Sequence, residues 1–350
     1  MSKHSKTKEN EINNTSHRNS KRIIKRKRRH LWGKLLLVLI IALGIFIGIR
    51  LYRAGGNILM AILGHDKHTV DKLDKLNVLI LGESTGMSDT IIAASYDPKT
   101  QEAAMLSIPR DTFTGDVKSE ARYYHKINSL YNYGETPEKT VDAVNKITGL
   151  DINYYILIDT EALIKMVDTL NEYSKDGFMF DVPIDMNYDD YSQDLHIHLE
   201  AGYQKLTGEQ VEQLVRFRHN NNGTSYSYDY GIEDHGRNKT QRNVIMAIAK
   251  QTLQSRNIKE ISKIIDILKD YVKTNMDLDS IKDYIPYAFD MNMDNVKVGI
   301  IPGQDEVVND IWFFFPDEEG TEEIVDKLFF NKVSSENEDA ENTDNNSSND

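Results

Sequence analysis

The chain has 350 residues, 39% hydrophobic and 28% charged, a globular balance that excludes collagen-like, fully disordered and polytopic membrane classes. It contains no cysteine, which rules out disulfides, cysteine-ligated zinc, iron–sulfur clusters and thiol nucleophiles. The net charge of −13 is unevenly spread: residues 1–34 hold twelve Lys/Arg and two Glu, so the remainder carries about −23. Nucleic acids are bound through clustered cations that displace counterions, so an acidic body argues against a nucleic-acid partner.

In chain order, residues 1–30 are polar, lack apolar periodicity and end in the basic run Lys21 to Arg29, which reads as a basic cytoplasmic tail. Residues 31–52 read as a transmembrane helix. The uncharged core from Leu35 to Ile49 is fifteen residues, short of the roughly 20 needed to span a bilayer. Lys34 and Arg50 lie near its ends, where long side chains snorkel, and Trp32 and Tyr52 sit at interface positions. The positive-inside rule then places the N-terminus in the cytoplasm and the rest outside, as a single-pass protein. A cleaved signal peptide is the competing reading, but no A-x-A-like site follows the apolar run. Residues 53–76 read as a juxtamembrane linker, 77–330 as the extracellular domain and 331–350 as a disordered acidic tail.

Within the body, Asn77–Gly82, Thr90–Ser95, Glu102–Ile108, Tyr154–Asp159 and Val296–Ile301 are short apolar runs that read as buried strands. Helical patterns occupy Pro137–Ile147, Thr160–Leu170, Thr207–Arg216, Arg237–Gln254 and Ile258–Asp270. Strands interspersed with helices predict an α/β fold, three-layer α/β/α around a central mixed sheet, with functional residues where strands run into loops.

Four local features carry candidate chemistry. Ser107 to Phe113 follows a strand; if the chain stays extended past Pro109, Arg110 and Thr112 share one face and Asp111 the other, for a structural or a catalytic role. Thr207–Gln210 is a capping-box pattern opening a helix with Val211, Leu214 and Val215 as its apolar stripe. Arg218 continues that stripe inward, or, if the helix ends first, Arg216 and Arg218 project together with Phe217 opposite; either asks for an anion, whether a substrate or a structural Asp. In Asp234–Arg237 the aspartate is a candidate N-cap, and Arg237 and Gln241 form an i, i+4 pair running into Ile245, Ala249 and Leu253. That face suits a phosphate headgroup with an apolar tail, or an ordinary amphipathic helix. In Leu81 to Thr90, Asp89 with Glu83 offers oxygen ligands for Mg²⁺; no G-K-[ST] follows, so this is not a P-loop. His196 and His198 alternate as strand residues do and make a poor zinc site, and the acid-rich Asp185–Asp194 reads as a solvated loop or a calcium loop. Residues 219–233, between two arginine motifs, read as a flexible loop or a lid.

Taken together, NVLILGESTGMSDTIIAASYDPKT, AMLSIPRDTF, YHKINSLYNYG, INYYILIDTEALIKMVD, FDVPIDMNYDD, LHIHLEAGYQKLTGEQVEQLVRFRH, DHGRNKTQR and GIIPGQ resemble, in order, the motifs of the LytR-CpsA-Psr family over Asn77 to Phe315. The resemblance implies a phosphotransferase that moves a phosphoglycan from a polyprenyl diphosphate carrier to peptidoglycan, forming a phosphodiester with Mg²⁺ (or Mn²⁺). It assigns catalysis to Arg110, Asp89 and Arg218, and diphosphate binding to Arg110, Arg216, Arg218, Arg237 and Gln241. The metal falls to Asp89, Glu83 and Ser84. The chain departs from the family pattern at Ser84, which replaces the first metal carboxylate, and at Met87 and Thr240, which replace arginines. The alternatives are a non-ligating polyprenyl-phosphate-binding sensor, regulator or envelope scaffold, and a lipid pyrophosphatase with water as acceptor.

Overall fold

The computed structural model describes residues 43–54, 69–84, 86–131, 137–255, 257–281 and 283–331. The chain divides into two units, residues 1–72 and 73–350. In the first, residues 43–53 are helical and Thr69–Lys72 form a 3₁₀ turn. Residues 31–42 of the expected transmembrane segment, the tail at 1–30, most of the linker and residues 332–350 lie outside the described residues. No helix among the described residues is long and apolar enough to cross a membrane.

The second unit is a mixed α/β fold around a mixed six-stranded sheet. Its strands are β1 (Leu76–Ser84), β2 (Met87–Asp97), β3 (Glu102–Ser107), β4 (Tyr154–Ile158), β9 (Val272–Thr274) and β10 (Lys297–Ile300), in the spatial order β10-β3-β2-β1-β4-β9. β1 pairs antiparallel with β2 and parallel with β4, and β10 runs parallel to β3. The five strands expected from apolar runs are all present. The remaining strands are short: β9, the pair β5 (Met179–Val182) with β8 (Gly202–Lys205) that encloses the β6 (Met186–Asp190)–β7 (Leu195–Leu199) hairpin, and the β11 (Gly303–Val308)–β12 (Ile311–Pro316) hairpin; of these only β7, where His196 and His198 alternate, carries periodicity legible in the sequence.

Strand alternation sends successive residues to opposite sheet faces. Leu79, Leu81, Ile91, Tyr155 and Leu157 form one buried core with Val141 and Val144 of α1 (Glu138–Thr148) and Val325 and Leu328 of α6 (Glu318–Phe329). A second core gathers α2 (Thr160–Tyr173), α3 (Gly208–Arg216), α4 (Glu233–Ser255) and α5 (Ile258–Tyr271) through Val167, Leu214, Val244 and Ile267.

Helix boundaries follow local chemistry. α1 ends at Gly149, whose φ of 66° is the left-handed C-cap that favours glycine. Asp159 caps α2 by accepting from the Ala162 N–H at 2.8 Å. The expected capping box at Thr207 is formed: its hydroxyl accepts from Gln210 N–H at 3.2 Å, and Gln210 accepts from Thr207 N–H at 2.9 Å. α4 begins at Glu233, so Asp234 lies inside its first turn rather than at the N-cap; its side chain falls outside the described part.

α2 and α3 approach closely at Gly208, where an added Cβ would stand 2.6 Å from the backbone oxygen of Ile164. Gly208→Ala is therefore expected to lower unfolding free energy by about 1–3 kcal/mol, read as a shifted denaturation midpoint at unchanged m-value.

Candidate active site

A cavity of about 680 Å³ opens where β1, β3 and β4 end and β2 begins. Its polar rim holds Glu83, Asp89, Arg110, Arg216, Arg218, Arg237 and Gln241, and its walls then turn apolar along Ile156, Ile158, Leu163, Ile264 and Leu268. α4 lines both parts: Arg237 and Gln241 first, then Val244, Ile245, Ile248, Ala249, Thr252 and Leu253. The i, i+4 face read from sequence is thus widened by the i+3 neighbours that keep a stripe straight along a 3.6-residue helix. Sixteen residues separate Arg237 from Leu253, an axial rise of about 24 Å.

Asp89 takes its position from a β-bulge. Gly82 pairs with Thr90 and Glu83 with Ser88, which leaves Asp89 as the extra residue. Bulges re-aim side chains at site edges, and this one turns Asp89 into the cavity. Gly82 permits the close pairing, since a Cβ there would stand 2.9 Å from Thr90 Cβ. Arg110 Nη1 lies 2.9 Å from Asp89 Oδ1, and Arg110 Nε lies 3.6 Å from Asp111 Oδ2.

The extended path expected past Pro109 is not formed. Residues 109–112 make a turn in which Thr112 donates to the Pro109 carbonyl through both its N–H, at 3.1 Å, and its hydroxyl, at 2.5 Å. Thr112 is fully buried, away from Arg110 in the cavity rim. Proline ends the ladder, and a threonine three residues on closes the turn.

For Arg216 and Arg218 the second sequence reading holds. α3 ends at Arg216 and Phe217 is extended (φ −65°, ψ 136°), so both arginines face the cavity while Phe217 is buried opposite. Arg216 also pairs with Glu212 at 3.1 Å. Arg237 is only 6% exposed and lines the cavity, so its charge is presented to the cavity rather than to bulk water. Gly236 lets the preceding loop close over this turn: a Cβ there would collide with the Tyr226 ring and the Gly231 carbonyl. Gln241 donates Nε2–H to the Val215 carbonyl at 3.0 Å, which ties α4 to the segment carrying Arg216 and Arg218.

Glu83 lines the cavity and accepts from the buried Tyr131 hydroxyl at 2.8 Å. The Ser84 side chain lies outside the described part. Met87 receives the Tyr123 hydroxyl at its sulfur at 3.3 Å, and Thr240 is buried with its hydroxyl 3.0 Å from Tyr230 Oη. Arg242 points away from the cavity, donating to Ser107 Oγ at 2.9 Å; burial holds its pKa below the ordinary arginine value.

Sequence reasoning missed Tyr188, Gln193 and Leu195 of the β6–β7 hairpin, and Ile264 and Leu268 of α5, as cavity walls. The i, i+4 pair on α5 was legible as an apolar stripe; which surface it faces was not. His196 and His198 do alternate on β7, and both approach Asp189 on β6, at 2.6 and 3.2 Å. In the acid-rich stretch, Asp185 accepts from Ala201 N–H and Asp190 from Ser192, and no group of three or more His, Asp or Glu among the described residues could hold a metal.

The LytR_cpsA_psr family model matches residues 4–329. The chain belongs to the LytR-CpsA-Psr family. One relative, the polyisoprenyl-teichoic acid–peptidoglycan teichoic acid transferase TagU of Oceanobacillus iheyensis, is 29% identical over 265 residues, covering 70% of this chain and 72% of that protein. Another, the regulatory protein MsrR of Staphylococcus aureus, is 30% identical over 58% of this chain and 57% of its own. The crystal structure of B. subtilis TagV, 24% identical, matches with a TM-score of 0.59 over 73% of this chain and 96% of that one, which establishes the shared fold.

The Asp189 carboxyl is held below its ordinary 3.8, first by the hydrogen bond from His196. A depressed folded-state pKa stabilises the hairpin above the ordinary carboxylate range, and that contribution is lost as pH falls through the lowered value. A carboxyl-carbon NMR titration is expected to place the Asp189 midpoint below 3.8, returning towards it in His196→Ala.

Proposed function

We propose that this chain is a glycopolymer phosphotransferase, moving a phosphoglycan from a polyprenyl diphosphate carrier to peptidoglycan and forming a phosphodiester in cell-wall assembly. The observation that carries this reading is a single cavity that joins four arginines and the carboxylates of Glu83 and Asp89, with Asp159 also in its lining, to an apolar limb along α4. The TagU relative's name describes the same class of transfer. Arg216, Arg218 and Arg237 bind the diphosphate, since guanidinium forks match phosphate oxygens. The apolar limb takes the prenyl chain. Arg110, held by Asp89, faces the transferred phosphoryl group, where charge builds on the equatorial oxygens. The acceptor oxygen bonds to the glycan-side phosphorus as the bond to the bridging oxygen breaks, releasing polyprenyl monophosphate and a proton. Gln241, with one donor committed to Val215, positions the arginine segment as well as lining the site.

The donor set fits Mg²⁺ (or Mn²⁺). Asp89 gives Oδ1 to Arg110 and Glu83 gives Oε2 to Tyr131, so each carboxylate keeps a second oxygen for the ion, which takes one or two carboxylates plus phosphate oxygens. When bound, the ion would supply charge neutralisation at the diphosphate. Ser84 stands third in this set by sequence position. In the same reading the fold is three-layer α/β/α, held outside the cell by a single N-terminal transmembrane helix with a cytoplasmic basic tail.

A second reading, a non-ligating polyprenyl-phosphate-binding sensor or scaffold, is favoured by the departures at Ser84, Met87 and Thr240. Its mark is tight lipid-diphosphate binding with no metal-dependent turnover.

The test uses the full chain in detergent with a radiolabelled polyprenyl-diphosphate-linked glycan and peptidoglycan. Transfer is expected to fall at least about 100-fold in Arg218→Ala and in Arg110→Ala, and to require a divalent cation. Ala249→Arg is expected to abolish capture of the long-chain donor while sparing a donor with a truncated prenyl chain. Wild-type transfer rates in Arg218→Ala would sink the assignment.

A further inference from the structure

The donor cavity does not provide for the second substrate. On the phosphotransferase reading, the acceptor is a carbohydrate hydroxyl that must attack from the side opposite the departing lipid phosphate. Along the sheet order, the apolar limb lies against β1 and β4, and Asp89 and Arg110 sit at the ends of β2 and β3. The 3₁₀ turn Tyr123–His125 lies beside these two residues. The turn and the residue after it are tied by side-chain contacts to sequence neighbours of both site residues. The Tyr123 hydroxyl donates to Met87, two residues before Asp89, at 3.3 Å, and Lys126 bonds Asp111, the residue after Arg110, at 2.7 Å. The following backbone runs beside the Arg110 loop, with Thr114 N–H donating to the His125 carbonyl at 2.9 Å.

Two rings stand open on this turn: Tyr123 is 51% and Tyr124 64% exposed. Tyr124 packs edge-on against His125, centroids 4.5 Å apart, which fixes its direction without covering it. The local charge sums to about zero: Lys126 is matched by Asp111, Lys118 pairs with Glu306, and Arg122, which donates to the Ala121 carbonyl at 2.9 Å, has Glu120 two residues before it. Asn309, in the tight β11–β12 turn, donates to the carbonyls of Ser119 and Ala121 at 3.1 Å each, which braces the segment from behind. Rigid, amphipathic rings in a neutral surrounding are what the apolar faces of neutral sugar rings stack on; an anionic polymer would call for unmatched cations.

We propose that Tyr123 and Tyr124 form the binding platform for the acceptor glycan strand, presenting its hydroxyl to the Asp89–Arg110 end of the cavity. The proposal rests on the phosphotransferase reading for the role of the strand, and on the surface itself for its binding.

The test uses the full chain in detergent with peptidoglycan glycan strands stripped of their peptide stems. Tyr123→Ala and Tyr124→Ala are each expected to raise the KM for strands about fivefold, and the pair to raise it further than either alone, with kcat and donor affinity unchanged. Tyr123→Phe keeps the ring and loses the Met87 contact, so it is expected to bind strands as wild type does. Wild-type transfer with an unchanged KM in Tyr124→Ala would overturn the platform, as would equal losses of donor and acceptor affinity. If the wild type transfers nothing, the phosphotransferase reading fails by itself. Strand binding by calorimetry then decides the platform: binding weakened in Tyr124→Ala supports it, and no binding, or binding indifferent to both tyrosines, overturns it.

Discussion

A single long helix has to present guanidinium and amide groups in its first turns and aliphatic groups in the rest, all to the same cavity. α4 does this because residues at i+3 and i+4 fall on one face, so Arg237, Gln241, Ile245 and Ile248 line one continuous wall. An amphiphilic ligand needs such a wall, and the other elements close around it. β1 and β4 supply the floor, α2 and α5 the sides, and the end of α3 turns two more arginines inward. Gly236 and Gln241 secure the arrangement, the first by letting the 226–231 loop close on α4 and the second by bonding α4 to Val215.

The electrostatics of the rim are arranged by pairing. Arg110 is held by Asp89 and Arg216 by Glu212, while Glu83 is held by Tyr131. Fixing these groups before a ligand arrives removes part of the ordering cost from binding, which is how preorganised sites stabilise a charged transition state. In a chain whose remainder is acidic, four arginines are gathered in one cavity rather than spread over a surface of the kind that binds an extended polyanion.

The departures from the family pattern have physical counterparts. Thr240 is buried against Tyr230, and Arg242, two residues on, turns to Ser107 on the far side of the helix, as the 200° rotation of two residues requires. Arg242 therefore does not replace an arginine at position 240. Met87 receives a tyrosine hydroxyl instead of contributing a cation to the rim.

The sequence alone determined the five main strands, the helices between them, the Thr207 capping box and the family, because apolar period, capping chemistry and ordered motifs are local properties of the chain. It also placed Asp89, Arg110, Arg216, Arg218 and Arg237 as candidates. Tertiary structure decided what the sequence left open or read otherwise. The Pro109–Thr112 turn replaced an extended segment because Thr112 found the Pro109 carbonyl, and the end of α3 at Arg216 chose between two directions for Arg218. The bulge that aims Asp89, the β6–β7 hairpin in the cavity wall and the bond from Tyr123 to Met87 depend on register and on contacts between residues far apart in the chain. Such contacts are set by packing between elements, which no local pattern encodes.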